Sequence, residues 1–172
     1  MTKEDQTPKR AASATTNPLS DGRQSAAALD IARGVQRLLA SLGFASLPEV
    51  TLANNRRADL IAIGPKGEIW IVEIKSGLAD FQADHKWPEY LEYCDRFYFA
   101  IDARFPIDVL PVDTGLIMAD RFGAEIMRET QLDKLAAARR RVVHVLAARV
   151  GAARLQRLVD PEASLEAVWP CL

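Results

Sequence analysis

The sequence predicts an α/β domain: a central mixed sheet, an antiparallel hairpin within it, and helices on both faces. Three observations carry this. Two strand-like runs, 57–63 and 69–75, flank Gly64-Pro65-Lys66-Gly67, the clearest hairpin signal in the chain. A helical stretch then leads to another strand-like run, Phe97–Ile101, which returns as a parallel neighbour. The hairpin is apolar on both faces near its turn, so it needs cover on both sides.

The elements follow in order. Residues 1–22 are rich in Thr, Ser, Ala and Pro without a periodic apolar face, and are expected to form a disordered tail. The remainder, 23–172, is expected to be one domain. From Ser25 to Leu42, Ala28, Ile31, Ala32, Val35, Leu38, Leu39 and Leu42 recur at helical spacing, and Gly43 supplies the stop. Glu49–Ala53 is extended and Asn54-Asn55 turns the chain. Phe81–Tyr93 is mostly helical, with Pro88 in a first turn. Leu116–Ala119 and Glu125–Met127 flank a turn and form a second hairpin. Leu132–Val159 is helical, with a break expected near Gly151.

Composition excludes several classes of function. With 49% apolar and 26% charged residues in a chain of 172, the protein is globular. No apolar run is long enough to span a membrane, and the first residues lack the apolar stretch of a secretion signal. Cys94 and Cys171 match no metal or redox spacing, which suggests a reducing, cytoplasmic setting. A net charge of −1 gives no global positive field, so contact with nucleic acid must come from a local patch.

The hairpin concentrates the chemistry. Pro65 suits position i+1 of a type I turn and Gly67 the left-handed position after it. Counting back from the turn, Ile63 faces Ile69, Ile61 faces Ile71 and Asp59 faces Glu73. Period-two alternation puts Glu73 and Lys75 on one face, with Arg57 leaning over the same end. Two carboxylates about 4 Å apart repel by roughly 4 kcal/mol at an effective dielectric near 20, so something must offset them. One reading is a salt-bridge cluster, Lys75 with Glu73 and Arg57 with Asp59. The other is a divalent-metal site, in which Asp59, Glu73 and the Ile74 carbonyl offer the hard oxygen donors that suit Mg²⁺. Lys75 would then orient or deprotonate a water.

Ala58-Asp59 followed by Glu73-Ile74-Lys75 resembles the PD-(D/E)XK nuclease superfamily, with Ala58 where the name-giving proline would stand. A narrower resemblance spans about Arg33 to Glu129. Arg56–Leu60, Val72–Ser76, Asp80–Tyr90 and Cys94–Ala100 are similar to the MmcB-like family of bacterial DNA-repair proteins, tied to tolerance of cross-linking damage. These resemblances imply a restriction-endonuclease-like fold and Mg²⁺- or Mn²⁺-dependent hydrolysis of DNA, with DNA and other repair proteins as partners. The alternative is a non-catalytic DNA-binding or scaffold protein on the same fold. The resemblance also implies Glu49 as a third acid, Gln36 as a weaker candidate for that role, and Arg57 and Lys86 as phosphate contacts. Asp80 and Asp84 either bond site groups or cap helix starts. Trp87 and Tyr90 are expected in the core, and His85 and His144 to be incidental. The arginines at 139–141, 149, 154 and 157 are expected on a solvated helix face, with DNA backbone contact as the alternative.

Overall fold

A computed structural model describes residues 25–130 and 132–162. The expected tail at 1–22 and Cys171 lie outside them. A six-stranded sheet in the order β1 to β6 forms the centre: β1 Ala45–Thr51, β2 Arg57–Ile63, β3 Ile69–Ile74, β4 Arg96–Ile101, β5 Gly115–Ala119 and β6 Ala124–Arg128. The β3–β4 and β4–β5 pairs are parallel and the others antiparallel, so the sheet is mixed.

The β2–β3 hairpin forms in the expected register, with Ile63 opposite Ile69 and Ile61 opposite Ile71. Gly67 takes φ +78°, and its N–H closes the turn on the Gly64 carbonyl at 2.9 Å. The left-handed position explains why glycine stands there.

Helix α1, Ala26–Ser41, starts on Ser25, whose Oγ accepts the Ala28 N–H, and ends before Gly43 at φ +80°. Its Ile31, Val35 and Leu39 pack on Leu60, Ala62, Val72 and Tyr98, covering one face of the sheet. Gly34 lets this helix approach the β5–β6 turn: a Cβ there would lie 2.1 Å from the Asp120 carbonyl oxygen and 2.3 Å from that of Gly123. Both obstacles are backbone, so Gly34→Ala should cost about 1–3 kcal/mol and lower Tm by several degrees. An unchanged melting curve would contradict the close packing.

The other face carries Ile61, Ile69, Ile71, Phe97, Phe99 and Leu116. It is covered by α2 (Leu78–Ala83), a 3-10 helix at Trp87–Tyr93 with Pro88 in its first turn as expected, and α3 (Ala137–Val159). Trp87 stacks on Phe97 with centroids 5.6 Å apart, and Tyr90 is buried on the same ring, which places both in the core.

The α3 expectation needs correction. The helix begins at Ala137 rather than Leu132 and runs through Gly151 without a break. Gly151 sits where Leu47 of β1 packs, 3.8 Å from a Cβ at that position, and the continuous backbone hydrogen bonds outweigh glycine's weak helix propensity. Arginines tie α3 down at both ends. Arg140 donates to Asp95 and to the Gly67 carbonyl, and Arg154 donates to the carbonyls of Pro48 and Glu49. The helix therefore crosses from the hairpin turn to the far end of β1.

Candidate functional site

The hairpin ladder runs as far as Leu60 opposite Val72. Beyond it, side chains take over the pairing. Asp59 Oδ2 accepts the Ile74 N–H at 2.8 Å, and Glu73 Oε1 accepts the Asp59 N–H at 3.1 Å. Each carboxylate thus commits one oxygen to the opposing strand's backbone. Asp59 Oδ1 and Glu73 Oε2 take no part in these bonds. Lys75 N–H donates to the Ala100 carbonyl on β4, so Ile74 directs its own N–H and carbonyl the other way, toward Asp59. Two carboxylate oxygens and a carbonyl oxygen therefore share one edge, a donor set that suits a small hard cation. Among the described residues, no group of three or more His, Cys, Asp or Glu is arranged to hold a metal, so a cation here would rest on this pair and the backbone.

Lys75 keeps its expected pairing with Glu73 and gains a closer partner in Asp84. Its Nζ lies 2.5 Å from Asp84 Oδ2 and 3.9 Å from Glu73 Oε2. Glu73 and Lys75 are each only 4% exposed. Asp84 also accepts the Lys86 N–H at 2.9 Å, in a turn ahead of the 3-10 helix, so it bonds a site group and does not cap a helix start. Burial opposes the charge on Lys75, yet the Asp84 hydrogen bond and the Glu73 charge outweigh it and raise the ammonium's pKa. Burial likewise pushes Asp84 up, but the Lys75 bond wins and holds it below the usual carboxylate range.

The Asp59–Glu73 pair titrates the other way. Burial is the largest cause for both. It lifts Asp59 to about 6, and with the charge of Asp59 it lifts Glu73 well above its ordinary value. Both groups take up protons more readily folded than unfolded, so the stability they contribute is full below pH 4 and lost as pH rises through 6 and beyond. In chelator, Tm should therefore fall between pH 5 and 8. Asp84, Asp102 and Asp120 are held below ordinary values and titrate beneath this window. A Tm that climbs across it would refute the protonated pair.

Glu49 faces Asp59 across the β1–β2 pair, between Pro48 opposite Leu60 and Val50 opposite Ala58. It adopts φ +53°, which is uncommon for a residue with a side chain. Arg154 holds this peptide through the two carbonyls it binds. Arg57 is not on Asp59, as one reading expected. Its Nε lies 2.6 Å from Glu49 Oε2, with 45% of the arginine side chain exposed. Opposite charge explains the choice: Glu49 keeps its carboxylate beside the guanidinium, while Asp59 is already turned onto the backbone. Tyr90 donates its hydroxyl to the Arg57 carbonyl at 2.9 Å and closes the site's floor. Lys86 is exposed beside Asp84. Gln36 is not brought to the site, since α1 packs on the opposite face. Asp80 is exposed in the first turn of α2. His85 is exposed, and His144 lies 3.0 Å from the Gly67 carbonyl.

Arg154 and the Tyr90 hydroxyl are the site-shaping groups that sequence reasoning missed. The arginine acts on carbonyls more than 100 residues away, for which local sequence holds no signal.

Fold and site together define a class: a mixed α/β domain with an acid–acid–lysine constellation where a hairpin's ladder gives way. The chain belongs to the MmcB-like family. The family description, DNA repair protein MmcB-like, matches residues 15–162. Among solved structures it is similar to the SPO1766 protein of unknown function from Silicibacter pomeroyi, with 48% identity and a TM-score of 0.78, over 82% of this chain and 97% of that one. No curated protein matches. No helix among the described residues is long and apolar enough to cross a membrane.

Proposed function

We propose that this protein is a metal-dependent deoxyribonuclease acting in DNA repair, on a restriction-endonuclease-like fold. The observation that carries the reading is the mutual arrangement of Asp59 and Glu73. Each is anchored by one oxygen, and each offers the other toward the edge where the Ile74 carbonyl points. Mg²⁺ or Mn²⁺ fits these donors, and the chemistry it supplies when bound is polarisation of a phosphate oxygen and acidification of water. Asp59, Glu73 and Ile74 hold the ion. Lys75, fixed by Asp84, orients the attacking water through its ammonium. Arg57 and Lys86, at the exposed rim, steady phosphate oxygens. Glu49 keeps Arg57 beside the site.

The test is a Mg²⁺ and Mn²⁺ titration against branched, single-stranded and duplex DNAs. Metal-dependent cleavage of at least one is expected. DNA binding without cleavage of any would favour the second reading, a non-catalytic DNA-binding scaffold. One observation speaks for that alternative: the Lys75 ammonium is already engaged by Asp84 at 2.5 Å.

A further inference from the structure

Charge in this chain is unevenly distributed. The whole sequence carries a net charge of −1, yet α3 holds six arginines and no acidic residue. The fold consumes half of them. Arg139 packs over Tyr93 and pairs with Glu92, Arg140 pairs with Asp95, and Arg154 holds the β1 carbonyls. Arg141, Arg149 and Arg157 remain, all exposed and without an ion pair among the described residues. They are spaced eight residues apart, so each stands about 12 Å further along α3 and about 80° further round it than the last.

All three line a cleft of about 950 Å³ between α3 and the end of β1. Its wall includes Leu52, Leu146 and Val150, so an aliphatic floor lies beside the guanidinium groups. Glu49 lies at the same cleft, and Glu49 faces Asp59. Glu49 is thus the residue that the arginine-lined cleft and the acid pair share.

We propose that this cleft holds a single-stranded segment of DNA and delivers it to the Asp59–Glu73 site. Regularly spaced arginines without partners match a chain of phosphates. A cleft of this volume is the size of a small-molecule pocket, with room for a few nucleotides of one strand. An apolar floor offers contact to bases that only a single strand exposes. Among the described residues the cleft has no aromatic lining, so binding should depend on charge and tolerate any sequence. The proposal rests on the reading that the protein acts on DNA, but not on its cutting DNA.

The experiment compares the full chain with a variant carrying Arg141→Gln, Arg149→Gln and Arg157→Gln, with Arg33→Gln as a surface control. The probe is labelled oligo-dT of fifteen nucleotides in Ca²⁺, titrated from low to high salt, with a duplex of equal length alongside. Each lost single-strand phosphate contact lowers the log–log salt slope by about 0.7, so the triple variant should lose about 2 units and bind about 100-fold more weakly at 0.1 M salt. Arg33→Gln should leave both unchanged. The proposal falls if the triple variant binds oligo-dT like wild type. It also falls if duplex binding suffers more than oligo-dT binding, or if only sedimentation or binding to anionic vesicles changes. Wild type that binds oligo-dT through these arginines but cleaves nothing supports the cleft and overturns the nuclease. Wild type that cleaves, with an equally active triple variant, does the reverse.

Discussion

Glu73→Gln should abolish cleavage while making the metal-free protein more stable. The amide keeps the side chain's shape, and its oxygen still accepts the Asp59 N–H that Glu73 Oε1 accepts at 3.1 Å. What disappears is a negative charge from a side chain 4% exposed, beside another carboxylate. If that charge holds the cation, several kcal/mol of transition-state stabilisation go with it, a loss of about 1,000-fold or more in single-turnover rate. At pH 8 in chelator, relief of the buried repulsion should raise stability by about 1–2 kcal/mol, or about 2–8 °C in Tm. The gain should shrink toward pH 5, where the wild-type pair is already protonated. A variant that cleaves as fast as wild type would end the catalytic assignment. A variant less stable than wild type at pH 8 would show that Glu73 works as an ion-pair partner and not as a repelled acid.

The second large effect is at Lys75. Lys75→Met keeps the hydrocarbon stem and removes the ammonium that lies 2.5 Å from Asp84 and 3.9 Å from Glu73. Two carboxylates are then left together without a cation, and breaking a buried pair from one side costs about 3–5 kcal/mol. Tm should fall by roughly 6–20 °C at pH 8 and less at pH 5. Turnover should vanish in Mg²⁺. Binding to the same DNA in Ca²⁺ should persist, with a salt slope changed by no more than about one unit. Pairing Lys75→Met with Asp84→Asn separates the two roles: stability should return because the stranded charge is gone, and turnover should not. Recovery of both would make Lys75 a purely structural partner of Asp84.

Local rules made the hairpin legible. Pro65 and Gly67 fix the loop, the loop fixes the register, and the register places Asp59 near Glu73. The first helix was equally plain, because Ser25 and Gly43 mark its ends. What escaped was long-range or against propensity. Period two puts Glu49 in a strand, but only its contacts with Arg154 and Arg57 show why its backbone turns left-handed. Lys75 was expected on Glu73, its neighbour on the strand face. It does pair with Glu73, but its closer partner is Asp84, which the chain reaches only after leaving the sheet through α2. Gly151 looked like a helix break because propensity weighs residues singly, whereas α3 is held at both ends by arginines.

The side-chain pairing beyond Leu60 and Val72 bears on how such proteins can change over generations. An acid at position 59 or 73 serves as a rung of the sheet as well as a charge. A lineage that lost turnover would still be selected against Ala or Val at either place, so an oxygen acceptor there records only that the hairpin is intact. Asn and Gln make the same rungs and end the repulsion. A lineage freed from holding a cation therefore has a favourable route to amides at both positions, and none that leads back to a buried acid pair. If the acid pair holds a cation, a carboxylate rather than an amide at 59 and 73 would mark a copy that still does so.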